Sequence, residues 1–176
     1  PFNAAHFLHG FGHREGKFHF SPNWKKVPLK NDGLMGPWES MPLFPDHWDA
    51  IEEANDEFPF RLVTAPARSF LNSSFTETPG SIKKEGEPSL MVHPVDAAQL
   101  GLTSGDIAAI SNRRGRVTLK VTLYDGVRRG VVIAEGIFPN AAHLGGTGIN
   151  VLTGSDPVAP YGGAAFHDNR VAIQKA

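Results

Sequence analysis

The run from Val117 to Tyr124 limits most sharply what this chain can fold into. Val117, Leu119, Val121 and Leu123 alternate there with Thr118, Lys120, Thr122 and Tyr124. A repeat of two sends alternate side chains to opposite faces, so this is a strand with one buried face. Such a strand needs partners, and the neighbouring sequence supplies them. Residues 60–65, 88–93, 107–111, 130–134 and 170–173 are short, mostly apolar and bounded by turn residues. In the second of these, Leu90 and Val92 face the same way. Residues 93–101 read as a two-turn helix, with Pro94 at its first position and Gly101 just past its end; His93 is then a structural residue at the helix start. Thr103 to Asp106 is a turn, and Asp125-Gly126 another. Asn112-Arg113-Arg114-Gly115 closes a hairpin, with Gly115 expected to take the positive φ. Six short strands, one brief helix and intervening loops predict a small, closed, all-β barrel. A parallel sheet would need crossover helices of about ten residues or more, and the sequence does not contain them.

The first 58 residues behave differently. Residues 16–20 alternate and predict one short strand, but Pro22, Pro28, Pro37, Pro42 and Pro45 then forbid helix and interrupt ladders. Phe18, Phe20, Trp24, Trp38, Phe44 and Trp48 recur through this stretch, which predicts an arm that lays its rings on a partner and exposes them without one. Residues 46–57 could form a short helix capped by Asp46. The expected organisation is an extended Pro/aromatic-rich arm or interdomain linker at 1–58 and a barrel domain at 59–176. The opening Pro-Phe-Asn-Ala-Ala-His has neither an initiator Met nor a signal pattern, and reads as a cut inside a longer chain.

Seventeen basic against eighteen acidic residues leave a net charge of −1, which removes any electrostatic case for nucleic acid or an anionic membrane. The absence of Cys excludes a disulfide framework, a thiolate zinc site or a Cys-ligated cluster within these 176 residues. The longest uncharged run, 136–155, has the length of a membrane span, but its glycines, Pro139 and Asn residues make it a loop. No membrane insertion is expected, and the cytoplasm is the expected compartment, with the periplasm as the alternative.

Chemistry-bearing residues are sparse. His6, His9 and His13 would share a helical face and could ligate a metal, but Gly10 and Gly12 oppose helix there, so surface histidines are the better reading and no metal site is assigned. No nucleophile–base pair, phosphate-binding glycine motif or perturbed carboxylate stands out, and no catalytic residue is assigned. Two polar loops do suit a ligand. Residues 64–75 offer a guanidinium, hydroxyls and an amide, an inventory that can hold a pyrophosphate and a polar ring edge. Residues 145–154, followed by 161–166, combine glycines that admit a ligand to the backbone with Asn150, which can donate and accept.

At these loops the chain resembles the C-terminal dinucleotide-binding domain of molybdopterin oxidoreductases, the dimethyl-sulfoxide-reductase and formate-dehydrogenase superfamily. The matching stretches are Phe-Leu-Asn-Ser-Ser-Phe (70–75), His-Pro-Val-Asp-Ala-Ala-Gln-Leu-Gly-Leu (93–102), Ser-Gly-Asp (104–106) and Asn-Arg-Arg-Gly (112–115). Arg-Arg-Gly-Val-Val (128–132), Ile-Asn-Val-Leu-Thr (149–153) and Gly-Gly-Ala-Ala-Phe-His-Asp-Asn-Arg-Val (162–171) complete them. Upstream, Gly-Lys-Phe-His-Phe (16–20) and Met-Pro-Leu-Phe (41–44) resemble the segment joining this domain to the enzyme body.

The resemblance implies a mainly β, double-psi β-barrel and a molybdopterin guanine dinucleotide, through which the full enzyme holds molybdenum or tungsten. It implies that Thr64, Ala65, Arg68, Leu71, Asn72 and Ser73 line the site, with Asn150, Thr153 and the Gly163–Phe166 stretch meeting the pterin or guanine from the other side. Arg68 would be the phosphate cation, Ser73 a phosphate donor, and Asn72 and Asn150 readers of a ring edge. Arg113, Arg114, Arg128 and Arg129 are expected to be solvated or interdomain charges. The implied partners are the remaining domains of the same catalytic subunit and electron-transfer subunits, and the fragment is expected to be inactive alone. A double-psi barrel that binds a protein or peptide is the alternative. The leading reading requires Arg68, Asn72, Ser73 and Asn150 to converge on one concave face.

Overall fold

The computed structural model describes residues 13, 15–26, 41, 43–44, 52–158 and 163–176. The chain divides into two compact units, one of Pro1–Trp48 with Pro157–Gly163, the other of Asp49–Asp156 with Ala164–Ala176. In the second unit, the alternating segments become strands β1 (Phe60–Ala65), β2 (Ser89–Val92), β3 (Ile107–Asn112), β4 (Gly115–Leu123) and β5 (Val131–Glu135). The two-residue strands β6 (Pro157–Val158) and β7 (Gly163–Ala164) are not part of the barrel, and β8 (Asn169–Lys175) completes it. The closed order is β1-β5-β2-β4-β3-β8. Pairs β1/β5 and β2/β4 are parallel, and the other four are antiparallel. This is a double-psi β-barrel.

The two parallel pairs correct the expectation that parallel pairing needs a crossover helix of its own. Here the barrel supplies the crossovers. The chain passes from β2 to β4 through helix α2 (Pro94–Gln99) and β3, and β1 reaches β5 through most of the remaining barrel.

The period-2 pattern fills the interior. Val117, Leu119 and Val121 of β4 join Leu62, Leu90, Val92, Ile110, Val132 and Val171 in one buried cluster. Each such side chain contributes about 1.5–3 kcal/mol by leaving water. Leu123 ends the alternation and is exposed. Helix α2 begins on His93, whose Nδ1 accepts the Val95 N–H at 3.1 Å. It ends with Gly101 at φ +66, where the Leu102 and Gly101 N–H groups donate to the Ala97 and Ala98 carbonyls. That pair of bonds needs a left-handed residue, which glycine supplies without strain. In the next turn, Lys175, with help from the Thr103 N–H and hydroxyl, holds the Asp106 carboxyl down at about 2.

Five local expectations change. Residues 16–20 form no strand, and residues 52–57 of the expected acidic helix are not helical; residues 46–51 lie outside the described set. A second helix, α1 (Pro79–Glu85), lies between β1 and β2 where only the helix at 93–101 was expected, with Pro79 at its start and Gly86 at φ +72 just after it. Ile82 is its only large apolar residue, so it has no periodic face to read. Gly115 does not take a positive φ; a Cβ there would lie 2.6 Å from Val151 Cγ2, so close packing is what requires glycine. Finally, Arg129 is more than a solvated charge. Its Nε donates at 3.0 Å to Asp96, a buried carboxylate that also accepts the Gly130 N–H at 2.7 Å, and those two donors make the buried charge tolerable.

Within the first unit, Phe18 and Phe20 are exposed and pack edge to face at 4.9 Å, and Phe44 is exposed as well. Trp38 and Trp48 lie outside the described residues, as do His6 and His9. His13 stacks on His19 at 3.9 Å, and His19 pairs with Glu15.

Candidate functional site

Barrel topology brings distant segments to one end. Strands β1 and β5 run parallel with Ala65 beside Glu135, so residues 66–75 and 136–138 leave from the same rim. Strand β8 is antiparallel to β1, with Asn169 beside Leu62, so residues 166–168 arrive at that rim. Strand β3 is antiparallel to β8, which places the Asn112–Gly115 hairpin tip there too. The short 3₁₀ turn Ile149–Leu152 packs on β4 beside that tip.

Between these segments lies a cavity of about 670 Å³, a volume in the range of small-molecule and cofactor sites. Thr64, Ala65, Pro66, Ala67 and Asn72 form one side, and Gly136 and Ile137 lie at the rim. Asn150, Thr153, Gly154 and Ser155 face them, and Phe166 and His167 complete the lining. No carboxylate, lysine or arginine is among these residues. The polar lining is made of amides, hydroxyls, an imidazole and backbone.

The first wall is a local device. Leu71 and Ser74 exchange backbone hydrogen bonds at 3.1 and 2.8 Å, a tight turn with Asn72 and Ser73 at its centre. Asn72 sits at φ +51, a conformation that Asn tolerates better than most residues. Beneath this turn, Ala67, Phe70 and Phe138 form a small apolar cluster, the two rings packed edge to face at 5.0 Å. Glu85 of α1 accepts the Ser69 N–H at 2.6 Å and fastens the loop from behind. His143 lies edge-on to Phe138 at 6.4 Å and is buried. Burial pushes its imidazole below the usual histidine range; the Phe138 backbone opposes this but forms no hydrogen bond with the ring.

The structure gathers six of the residues singled out from sequence, Thr64, Ala65, Asn72, Asn150, Thr153 and Phe166, onto this cavity. It does not bring Arg68, Leu71 or Ser73 to the lining. Leu71 and Ser73 flank Asn72 in the turn with exposed side chains, and alternate positions of so tight a turn cannot all point inward. Arg68 is exposed and has no partner among the described residues. The expected four-residue convergence is therefore met by Asn72 and Asn150 and missed by Arg68 and Ser73. Gly163 lies in β7, in the first compact unit. Pro66, Ala67 and Gly154 also line it and lie in the two loops marked from sequence, though none was singled out; sequence reading missed Gly136, Ile137, Ser155 and His167. Gly136, at φ +78 at the end of a strand parallel to β1, is the one with a usable signal.

The donor set fits a neutral heterocycle with a phosphorylated tail. Asn72 and Asn150 make no side-chain hydrogen bonds among the described residues, so both amides are available along a ring edge. The Thr153 hydroxyl donates to the Asn150 carbonyl at 2.8 Å and keeps its lone pairs for a ligand. Backbone groups and the nearby Arg68 are what the chain offers to phosphate.

The sequence model of the family described as a molydopterin dinucleotide binding domain matches residues 60–171. Probable oxidoreductase YoaE of Bacillus subtilis (strain 168) is 31% identical over 147 residues, which is 84% of this chain and 20% of that protein. The dimethyl sulfoxide/trimethylamine N-oxide reductase of Rhodobacter capsulatus is 31% identical over 121 residues, 63% of this chain and 14% of its own length. Among solved structures, acetylene hydratase from Pelobacter acetylenicus shares the fold, with a TM-score of 0.54 and 18% identity over 68% of this chain and 19% of that one. The chain thus spans about a fifth or less of the length of these relatives. Matched from the first barrel strand into the last, and closed around a polar cavity between them, the chain belongs to the molydopterin dinucleotide binding domain family, and its cofactor is a molybdopterin dinucleotide.

Proposed function

We propose that the chain is the cofactor-closing part, with 1–58 as its interdomain arm, of a molybdenum or tungsten oxidoreductase, and that the dinucleotide is the guanine form. The observation that carries this is the convergence of two amides with no side-chain partner among the described residues, Asn72 and Asn150, from segments 78 positions apart onto one cavity without a carboxylate in its lining. An amide offers a donor and an acceptor side by side, the pattern that guanine and pterin edges require. Relatives that are reductases support the redox assignment.

The bound cofactor supplies two-electron redox chemistry at its metal. What the chain's own residues do is narrower. Asn72 and Asn150 orient a ring, Thr64, Thr153 and Ser155 give hydroxyl contacts, and Phe166 and Ile137 exclude water. Arg68 stands outside the cavity, where a diphosphate leaving it would meet a cation. The remaining domains of the same subunit would complete the enclosure, and separate electron-transfer subunits would exchange electrons with it.

The test is chemical analysis of the protein purified from its native host. Oxidation should release a fluorescent pterin, and acid hydrolysis should release GMP in equal amount, with molybdenum or tungsten seen by mass spectrometry. CMP in place of GMP would overturn the guanine assignment, and a protein without pterin would overturn the whole reading.

A further inference from the structure

The second cavity wall, residues 150–155, belongs to no barrel strand, and its only regular structure is one 3₁₀ turn. It has no ladder to hold it; Leu152, fully buried in the core cluster, roots it, and side-chain hydrogen bonds fix the rest. Asn169, 1% exposed at the start of β8, is the centre of that support. Its Oδ1 accepts the Gly154 N–H at 3.1 Å and an Arg114 Nη2–H at 3.2 Å, while its Nδ2 donates to the Phe166 carbonyl at 2.8 Å. Gly154 and Phe166 both line the cavity, so one buried amide ties two of its sides together.

Arg114, at the β3–β4 hairpin tip, extends the network. Its Nε donates to the Leu152 carbonyl at 3.0 Å, and its Nη2 lies 2.6 Å from Glu52 Oε1. The other Glu52 oxygen accepts the Arg170 N–H at 2.9 Å. Asn112 donates to the same Leu152 carbonyl at 2.8 Å and accepts the Arg114 N–H at 2.9 Å, which holds the hairpin tip in shape. Glu52, Asn112, Arg114 and Asn169 do not line the cavity. Arg114, expected from sequence to be a solvated or interdomain charge, is tied to three partners.

We infer that Asn169 and Arg114 are positioning residues for the cofactor, setting the separation between the Asn150–Ser155 wall and Phe166 before the ligand arrives. The inference rests on reading this cavity as the dinucleotide site. Its physical content is preorganisation: a wall ordered in advance costs the ligand nothing to order. A guanidinium is needed because one planar fork serves the Leu152 carbonyl, Asn169 and Glu52 at once, which an ammonium cannot do.

The test places Arg114→Gln, Arg114→Lys, Asn169→Asp, Glu52→Gln and, as cavity control, Asn150→Ala in the native gene. The readouts on purified protein are pterin retained per chain after extensive dilution, Tm of the cofactor-stripped protein, and hydrogen–deuterium exchange of the peptide spanning 150–156. Asn169→Asp keeps the two acceptor contacts and sets an oxygen against the Phe166 carbonyl. It and Arg114→Gln should retain pterin about tenfold less well, with faster exchange at 150–156 in the stripped protein. Arg114→Lys should fall between Arg114→Gln and the parent. A lower Tm with unchanged retention and exchange would make these residues merely structural and overturn the inference. If Asn150→Ala loses pterin while the Arg114 and Asn169 variants retain it, the positioning role falls and the cavity reading stands. If Asn150→Ala retains pterin in full, the cavity reading falls and takes the positioning role with it. Should the Asn169 or Arg114 variants not fold, Glu52→Gln decides: it should shift retention and exchange in the same direction by a smaller factor, and no shift would overturn the inference.

Discussion

Residues 64–72 leave a barrel strand and turn back over a packed floor of Ala67, Phe70 and Phe138, whereas residues 150–155 cross the opposite side of the same cavity on a polar network anchored by Asn169 and Arg114. Beyond its local turn and the Ser69–Glu85 bond, the first wall rests on dispersion and exclusion of water, which are tolerant of small displacements. The second is rooted in the core by Leu152, and directional bonds, several of them to a charged group, then fix both distance and angle. One cavity therefore has a wall that can adjust to a ligand and a wall that dictates where the ligand must lie. The contrast also separates the two amides. Asn72 is carried by a turn that stands largely by itself, while the segment that carries Asn150 depends on side chains from the β3–β4 hairpin tip and the start of β8.

The floor of the first wall gives the largest expected effect. Phe138→Ala removes a ring packed against Phe70 and should lower unfolding stability by about 3 kcal/mol, read from urea denaturation. A loss under about 1 kcal/mol would mean that the apolar floor does not hold that wall, and the comparison would fail on its own terms.

Asn72→Gly should be milder. Glycine keeps the φ of +51 without strain and removes only the amide, so stability should change by no more than about 1 kcal/mol while pterin retention falls. A larger stability loss with unchanged retention would show that the amide serves the turn and not the ligand.

The smallest effect concerns His143, edge-on to Phe138 behind the first wall. Its folded pKa is lowered from 6.5 by burial, so the unfolded chain binds the extra proton more readily. Stability should therefore fall as pH drops through 6.5 toward the lower folded value, and level off below it. Thermal unfolding of His143→Leu should lack this component, so the difference between parent and variant should change with pH only in that window. A pH-independent difference would mean that the imidazole is not held neutral by the apolar setting.

Short-range pattern was enough for most of the barrel. The β4 strand follows from alternation and the other five from short apolar runs bounded by turn residues, and α2 follows from Pro94 and Gly101 at its ends. Helix α1 escaped because Pro79-Gly80-Ser81-Ile82-Lys83-Lys84-Glu85 has no apolar stripe, although its proline start and Gly86 stop were there to be read. The parallel pairs escaped for a different reason. Alternation tells which face of a strand is buried, but says nothing about which strand lies beside it or in which direction.

The candidate site divides along the same line. Thr64, Ala65 and Asn72 were legible because they sit in or just after the first strand, in a polar loop whose chemistry is visible locally. Arg68 and Ser73 carry the right chemistry in that same loop, yet both are exposed and neither lines the cavity. Glu52, Arg114 and Asn169 could not be connected from sequence, because 62 and 55 positions separate them and only barrel closure brings them within hydrogen-bond reach. Local periodicity and turn chemistry thus determined the strands, the closed all-β class and the identity of the free amides. Which residues meet across the barrel mouth, and which side chains face inward there, was decided by the register and direction of strand pairing, a long-range choice that no short window of residues contains.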